Sequence, residues 1–486
     1  MSSNASPWLL WQCTSGHTQI AVSLSLLAVS VAAYLGYGDP PLNGLAEEIM
    51  ARTPATLANR LLENLGDFAR PAAVLGAYAL LLFGSLLVAG ALNTGRHLGL
   101  VAGPLMAVAV TATAHVFGLN SAWLVGGLAA VFYLVVRRWH WPSVSPSDKS
   151  KRDFLRLSLL GGAAVLLTAS TTFGVSLARN LAIDKDGGRR LFPWQNPHPR
   201  DPLYAAAPKP EVDEVRDFYL MSKNVNDPTI DEARWSLKIT DLAGEERRFS
   251  LGDLEGMPRT DLWATLRCVS NTVSSRLMGT ALFSGVALRD LLSNAGEGSF
   301  VRFRGDDGQE ESLALSELLE VPTMLAYAMN GRELSEGHGC PLRLLVPGRY
   351  GFKSVKWLTQ IHVEPEFENG TWEDRGWSAD AVVKTMSRID GVVQGTDGSR
   401  VAFGVAYGGL RGIQRVEVRV DEGDWLEAEC LEPLSPESWV LWRHALETAS
   451  GRLTVRAVDG EGGEQPADPQ GPFPDGAQGL HSISFG

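Results

Sequence analysis

At 486 residues, with 45% hydrophobic and 20% charged side chains, the chain is too long for one domain and ordinary in composition only on average. Its formal net charge of −12 gives no support to nucleic-acid binding. Its 4 cysteines include no CxxC pair, which excludes a zinc site, an iron–sulfur site and covalently attached haem.

The charge is spread unevenly. Residues 20–38, 72–92, 98–117, 119–136 and 157–178 contain no Asp, Glu, Lys or Arg, and each is long enough to cross a bilayer as a helix. A membrane domain of about five transmembrane helices is therefore expected over residues 1–182, the third and fourth forming a hairpin that turns at Asn120. The loop between the fourth and fifth spans holds Arg137, Arg138, Lys149, Lys151, Arg152 and Arg156, so it is expected in the cytoplasm. Counting outward, everything after the fifth span lies on the extracytoplasmic side, and the chain reads as a multi-pass inner-membrane protein. The run SKRDFLRLSLLGGAAVLL from Ser150 resembles a twin-arginine export signal, with Lys151 in place of its first arginine. That route carries already folded proteins. His17, His97 and His115 are among the histidines near the spans, and this topology leaves them without a matched outer pair for a haem. The helices read as an anchor.

Residues 183–210 carry Pro193, Pro197, Pro199, Pro202, Pro208 and Pro210 with a Gly pair at 187 and 188, the composition of a stiff extended linker. Two folds follow it. Over 211–380, strand patterns (WSLKIT, SFVRFR, RLLVPG) alternate with a helical one, SGVALRDLLSNAG, in which Val286, Leu288, Leu291 and Leu292 line one face. This is a mixed α+β domain. Over 381–486 the strand patterns are VAFGVAYG, QRVEVRVD, WLEAEC, SWVLWRH and RLTVRAVDG, with Val416, Val418 and Val420 facing in against Glu417 and Arg419. An all-β immunoglobulin-like sandwich is expected there, with Cys430 on the core side beside Leu426 and Ala428. The expected fold class is thus multi-domain: a helical membrane region, an α+β domain and a sandwich.

Residues 264–271 read ATLRCVSN, a hydrophobic run that stops at Cys268. Taken alone, that cysteine is a small buried hydrophobe or a thiolate ligand. The order of Trp-Ser-Leu-Lys-Ile, LRCVSN, FSGVALRDLLSNAG, HGCPLRLLVPGRYGFKSVKWL, VKTMSRID and the sandwich resembles the sulfite oxidase family of molybdenum cofactor enzymes, membrane-anchored bacterial members in particular. The resemblance covers roughly residues 211–486, and the block from His338 to Leu358 is its most specific part.

The resemblance implies a catalytic molybdopterin domain whose Cys268 is the protein thiolate on a molybdenum held by one pterin dithiolene. A soft thiolate suits that metal. It further implies that His338, Arg343, Ser354 and Lys356 bind the molybdopterin, Arg343 holding its phosphate in bidentate fashion and Lys356 acting as a point charge. Tyr219 and Lys223 in FYLMSKN fall near the family's first cofactor-contact segment, which usually runs to Arg-Asn-His and here does not. Sulfite oxidases follow the cysteine with Ala-Gly-Asn-Arg-Arg. Here CVSNTVSSR leaves Arg276 as the only cation of the loop, joined by Arg375 from WEDRGW at most. A dianion wants several converging cations, so an uncharged sulfoxide or N-oxide is the expected substrate and sulfite the alternative. The partners implied are a small oxo donor or acceptor, an unidentified electron carrier, membrane lipid and a second copy bound through the sandwich. A rival from another class is a metal-free exported binding or structural protein on the same fold, which would have no need of Cys268.

Overall fold

The computed structural model describes residues 188–486 apart from 198–199, 225–226 and 293–298. The expected membrane spans, the basic loop at 137–156 and His17, His97 and His115 lie outside the described residues. Among the described residues, no helix is long and apolar enough to cross a membrane.

The first domain is built from two sheets. β1 (Leu237–Thr240) and β2 (Glu246–Phe249) form one hairpin, β3 (Thr260–Arg267) and β4 (Met278–Ala287) a second, and β5 (Phe300–Gly305) and β6 (Glu310–Ala314) a third. β7 (Met324–Met329), β8 (Arg332–Glu333), β9 (Arg343–Leu345) and β10 (Leu358–Glu364) complete them. One sheet runs β2-β1-β10-β5-β6; the other runs β3-β4-β7-β8, with β9 also paired to β7. All six residues of β7 are buried, because both its faces are covered. Three short helices, α1 (Leu251–Glu255), α2 (Leu288–Leu292) and α3 (Leu315–Glu320), close the domain. A capping box starts α1: the Asp253 N–H donates to Ser250 Oγ at 3.2 Å and the Ser250 N–H to Asp253 Oδ2 at 2.8 Å. The helical reading of Ser284–Gly296 is corrected at its start. Gly285, Val286 and Ala287 pair with β7 as strand, and helix begins only at Leu288. The apolar residues Val286, Leu288, Leu291 and Leu292 are buried as expected.

The second domain stacks two four-stranded sheets. β11 (Met386–Gln394) and β12 (Arg400–Tyr407) lie in one; β13 (Ile413–Val420) and β14 (Leu426–Glu427) lie in the other. β15 (Glu429–Cys430) and β16 (Val440–Leu446) return to the first sheet, and β17 (Gly451–Asp459) and β18 (His481–Phe485) finish the second. Val416 and Val418 are buried in the shared core with Trp442 and Val455. Cys430 departs from expectation, because it is exposed, as is Leu426 at 53%, while Ala428 alone is buried. The chain changes sheets at Ala428, from β14 on β13 to β15 on β16. The two-residue alternation that linked the three positions does not survive that change.

The proline-rich segment from residue 188 is not a free spacer. The N–H groups of Leu191 and Phe192 donate to Gly331 O at 2.8 and 3.0 Å, Arg259 stacks on Phe192 at 4.1 Å, and the Tyr204 hydroxyl donates to Glu429 O at 2.9 Å. It straps both domains. The sandwich in turn grips β3, the outer strand of its sheet. The Thr265 N–H donates to Glu437 O at 3.0 Å, Ser435 Oγ to Trp263 O at 2.6 Å, and the Tyr407 hydroxyl to Thr265 O at 3.1 Å. These contacts satisfy backbone groups that an outer strand would otherwise leave to water.

Candidate metal centre

β3 delivers Cys268 to the point where the strand stops. The Cys268 N–H donates to Leu277 O at 3.0 Å, and the Asn271 N–H donates to Cys268 O at 3.2 Å. Asn271 Oδ1 accepts from the Leu277 N–H at 3.2 Å, which ties the far end of the loop to its beginning. The thiol is therefore fixed by a rigid element. It is 9% exposed, in no disulfide, with Sγ 3.0 Å from Ser270 Oγ. Burial pushes the thiol pKa up, while hydrogen bonding from Ser270 and the charge of Arg267 pull it down.

Four of the expected binding residues come from one stretch folded on itself. The 3₁₀ turn Glu336–His338 ends on Gly339, whose φ of 102° is open to glycine and strained for other residues. A Cβ there would also meet Lys356 Cβ at 2.8 Å. His338, 2% exposed, donates from Nε2 to Val215 O at 2.9 Å and packs edge-on against Phe218 at 5.5 Å. Burial lowers its pKa to about 3, so the ring is neutral and Nδ1 is an acceptor. Arg343, on β9 and 4% exposed, donates to His338 O at 3.2 Å and Ser354 O at 3.5 Å. Ser354 Oγ accepts from the Val346 N–H at 3.1 Å. Lys356 donates to Ser222 Oγ and Gly337 O, both at 2.8 Å, and lies over Trp357 at 4.2 Å.

The first contact segment joins this stretch. Lys223 donates to Asp307 O at 2.9 Å, and Lys223 and Lys356 both oppose the burial that raises the Asp307 carboxyl pKa. Tyr219 stacks on Phe218 at 5.4 Å. A Cβ at Gly351 would strike the Tyr219 hydroxyl and stand 3.4 Å from Arg267 O. Glycine at that position is what lets the phenol meet the end of β3. Burial, then the nearness of Cys268, raises the phenol pKa, so Tyr219 remains a hydrogen-bond donor. Arg276 is not brought in. It is exposed, and its carbonyl accepts from the Met278 N–H at 2.8 Å. Arg375 is also exposed, against Trp372 at 4.8 Å.

Two residues that matter escaped the sequence reading. Arg267, 0% exposed, donates from Nη1 to Lys384 O at 3.2 Å, while its Nε and Nη2 have no acceptor. Nδ2 of Asn271 and Nε of Arg343 are buried in the same condition. The signal was a charged residue inside a run otherwise destined for the core, Leu266-Arg267-Cys268. These unmet groups are all donors, and among the described residues no carboxylate pairs with Arg267 or Arg343. Buried polar groups of this kind expect partners, and donors beside a thiol suit an anionic, acceptor-rich cofactor carrying a soft metal. Burial lowers the Arg343 pKa to about 10, which leaves the guanidinium charged at neutral pH. Among the described residues no three His, Cys, Asp or Glu side chains converge as a metal cage, so the metal's other ligands would come with that cofactor.

Residues 224–372 match the oxidoreductase molybdopterin binding domain family. The oxidoreductase YuiH of Bacillus subtilis is 33% identical over 150 residues, which are 30% of this chain and 74% of that protein. The sulfite oxidase of Arabidopsis thaliana is 28% identical over 308 residues, covering 49% of this chain and 78% of that one. The chain belongs to the sulfite oxidase family of molybdopterin oxidoreductases. As a member of that family it is a molybdenum-dependent oxidoreductase, and its cofactor is Mo-molybdopterin. Human mitochondrial sulfite oxidase is 27% identical over 290 residues, and the chain spans 53% of its length. The structure of the sulfane dehydrogenase SoxCD from Paracoccus pantotrophus matches with a TM-score of 0.47 at 23% identity, covering 54% of this chain and 78% of that one.

Proposed function

We propose that this sulfite oxidase family member reduces a small uncharged oxo donor, a sulfoxide or an N-oxide, at a molybdenum bound through Cys268. The donor R₂S=O takes two electrons and two protons and leaves as R₂S and water, the electrons coming from a separate carrier. Mo-molybdopterin, when bound, supplies a metal able to exchange two electrons and one oxygen atom. The chain's own residues hold and shape the site. Arg343, charged and without a carboxylate, would take the phosphate, and Lys356 would add a point charge. His338, with Nε2–H committed to Val215, would offer Nδ1 to a ring N–H. Ser354 holds this turn in place through Val346, and Lys223 anchors the opposite wall on Asp307. Tyr219, protonated throughout the working range, would offer its hydroxyl as a hydrogen-bond donor to the substrate.

The observation that carries the substrate reading is the exposed Arg276, the only cation of the loop that follows Cys268. The second reading, sulfite oxidation, is favoured by the buried charge of Arg267 and by the sulfite oxidases among the relatives. The full chain, assayed with an artificial electron mediator in both directions across a salt series, separates them. Oxo-donor reduction should exceed sulfite oxidation by at least about tenfold in kcat/KM, roughly 1.4 kcal/mol of transition-state preference, with little response to salt. Efficient sulfite oxidation that weakens steeply with salt would overturn the oxo-donor reading.

The same proposal puts the catalytic domain on the outer face of the inner membrane, anchored by the spans of residues 1–182, with the sandwich joining two copies. The basic loop at 137–156 supports the orientation. A metal-free binding protein on this fold would have no use for the unmet buried donors around Cys268.

A further inference from the structure

Arg267 is the least explained charge in the described residues. It is fully buried, its neighbours are the carbonyl of Lys384 at 3.2 Å and the ring of Tyr350 at 5.6 Å, and no carboxylate of the described residues pairs with it. Leaving an ion in such a place is costly unless something compensates it. A structural strap to the sandwich would need only one neutral donor for the Lys384 carbonyl, and glutamine would provide that without the charge. The charge itself therefore calls for a counterpart. It is adjacent in sequence to Cys268, and its field reaches that sulfur.

We propose that Arg267, next to Cys268 in the chain, is a positioning residue whose fixed positive charge would compensate the negative charge of the metal centre, and so would set the potential at which the centre accepts electrons. The proposal rests on the reading of Cys268 as the metal ligand. Two of its consequences are independent of turnover. A buried cation near a metal favours the reduced state, so removing it lowers the midpoint potential. The same cation destabilises the protein when its counterpart is missing and stabilises it when the counterpart is present.

The test compares the full-length holoenzyme with Arg267→Gln and Arg267→Lys, together with cofactor-free forms of all three made in a host unable to synthesise molybdopterin. Metal content, midpoint potential by EPR-monitored redox titration, and melting temperature are measured for each. Arg267→Gln should have a lower potential and Arg267→Lys one near wild type. The cofactor-free Gln protein should melt no lower than cofactor-free wild type, while the rise in melting temperature on carrying the cofactor should shrink. If the Gln variant keeps no metal, an undiminished melting temperature in its cofactor-free form still supports the proposal. An unchanged potential, or equal losses of melting temperature with and without cofactor, would reduce Arg267 to a structural strap and overturn it. Failure of the underlying reading looks different: Cys268→Ser would then leave the metal's EPR signature as in wild type.

Discussion

Cys268 and His338 make opposite demands on their surroundings. The thiol is held at the end of β3 with one hydroxyl contact. Cys268→Ser should abolish turnover in a chain that still folds, since the hydroxyl is similar in size but a poor ligand for a soft metal. Cys340→Ser and Cys430→Ser, at half-buried and exposed positions, should retain most of the activity, and activity normalised to folded protein checks all three. His338 has a pH signature. The unfolded ring takes up a proton near 6.5, and the folded one resists it down to about 3. The unfolded state thus binds more protons inside that window, and stability falls as pH drops through it, by about 1.4 kcal/mol per pH unit for this group alone. His338→Gln removes this dependence. Melting curves of the two proteins from about pH 6.5 to about pH 4.5 should converge. Buried carboxyls with raised pKa values, such as Asp213, respond with the opposite sign but are common to both proteins.

At the scale of elements, the segment that presents Ser354 and Lys356 is pinned by the residue just before it. Lys353 is fully buried, 3.2 Å from Glu311 Oε2 on β6 and paired with Glu373 in the 3₁₀ turn Glu373–Arg375. One lysine faces two carboxyls, and burial pushes the Glu311 pKa well above its ordinary value while the charge of Lys353 pulls it back down. Lys353→Met should cost about 3–5 kcal/mol by urea unfolding, because it strands the buried acids, and should lower molybdenum content as the Ser354–Lys356 segment loosens. Glu311→Gln, which removes one of the two carboxyl charges at nearly the same volume and leaves Glu373 for Lys353, should cost less, about 1 kcal/mol. Little of this was legible beforehand: Lys353 stands in the quoted block without any mark distinguishing it from Lys356, and only the packing of β6 and the 373–375 turn around it reveals the difference. The strands were far more legible. Val416 and Val418 alternate as their sequence implies, because β13 is paired on both sides. The same rule misplaced Cys430, because periodicity carries no information about a strand that changes sheets. The candidate ligand set was readable only as an ordered series of motifs, and Arg267 was missed because burial without a partner does not show in a sequence.

For the whole molecule, the topology has a direct check. Under the proposed topology, a reporter fused at Ser147 should face the cytoplasm and one fused after Pro208 should face outward, an expectation motivated by the basic residues from Arg137 to Arg156. Reporters on the same side would remove the five-span reading. The grip of the sandwich on β3 has a different kind of consequence, one for the life of the chain before it is complete. Until residues 435–439 are in place, the strand that ends on Cys268 presents an open row of donors and acceptors, a template for pairing with another chain. The sandwich thus guards the catalytic domain against self-association. A chain truncated after residue 380 should form large aggregates on gel filtration and bind an amyloid dye, whereas the full chain should elute as no more than the proposed two-copy assembly and bind none. The trailing domain then serves as a chaperone covalently built into its own client.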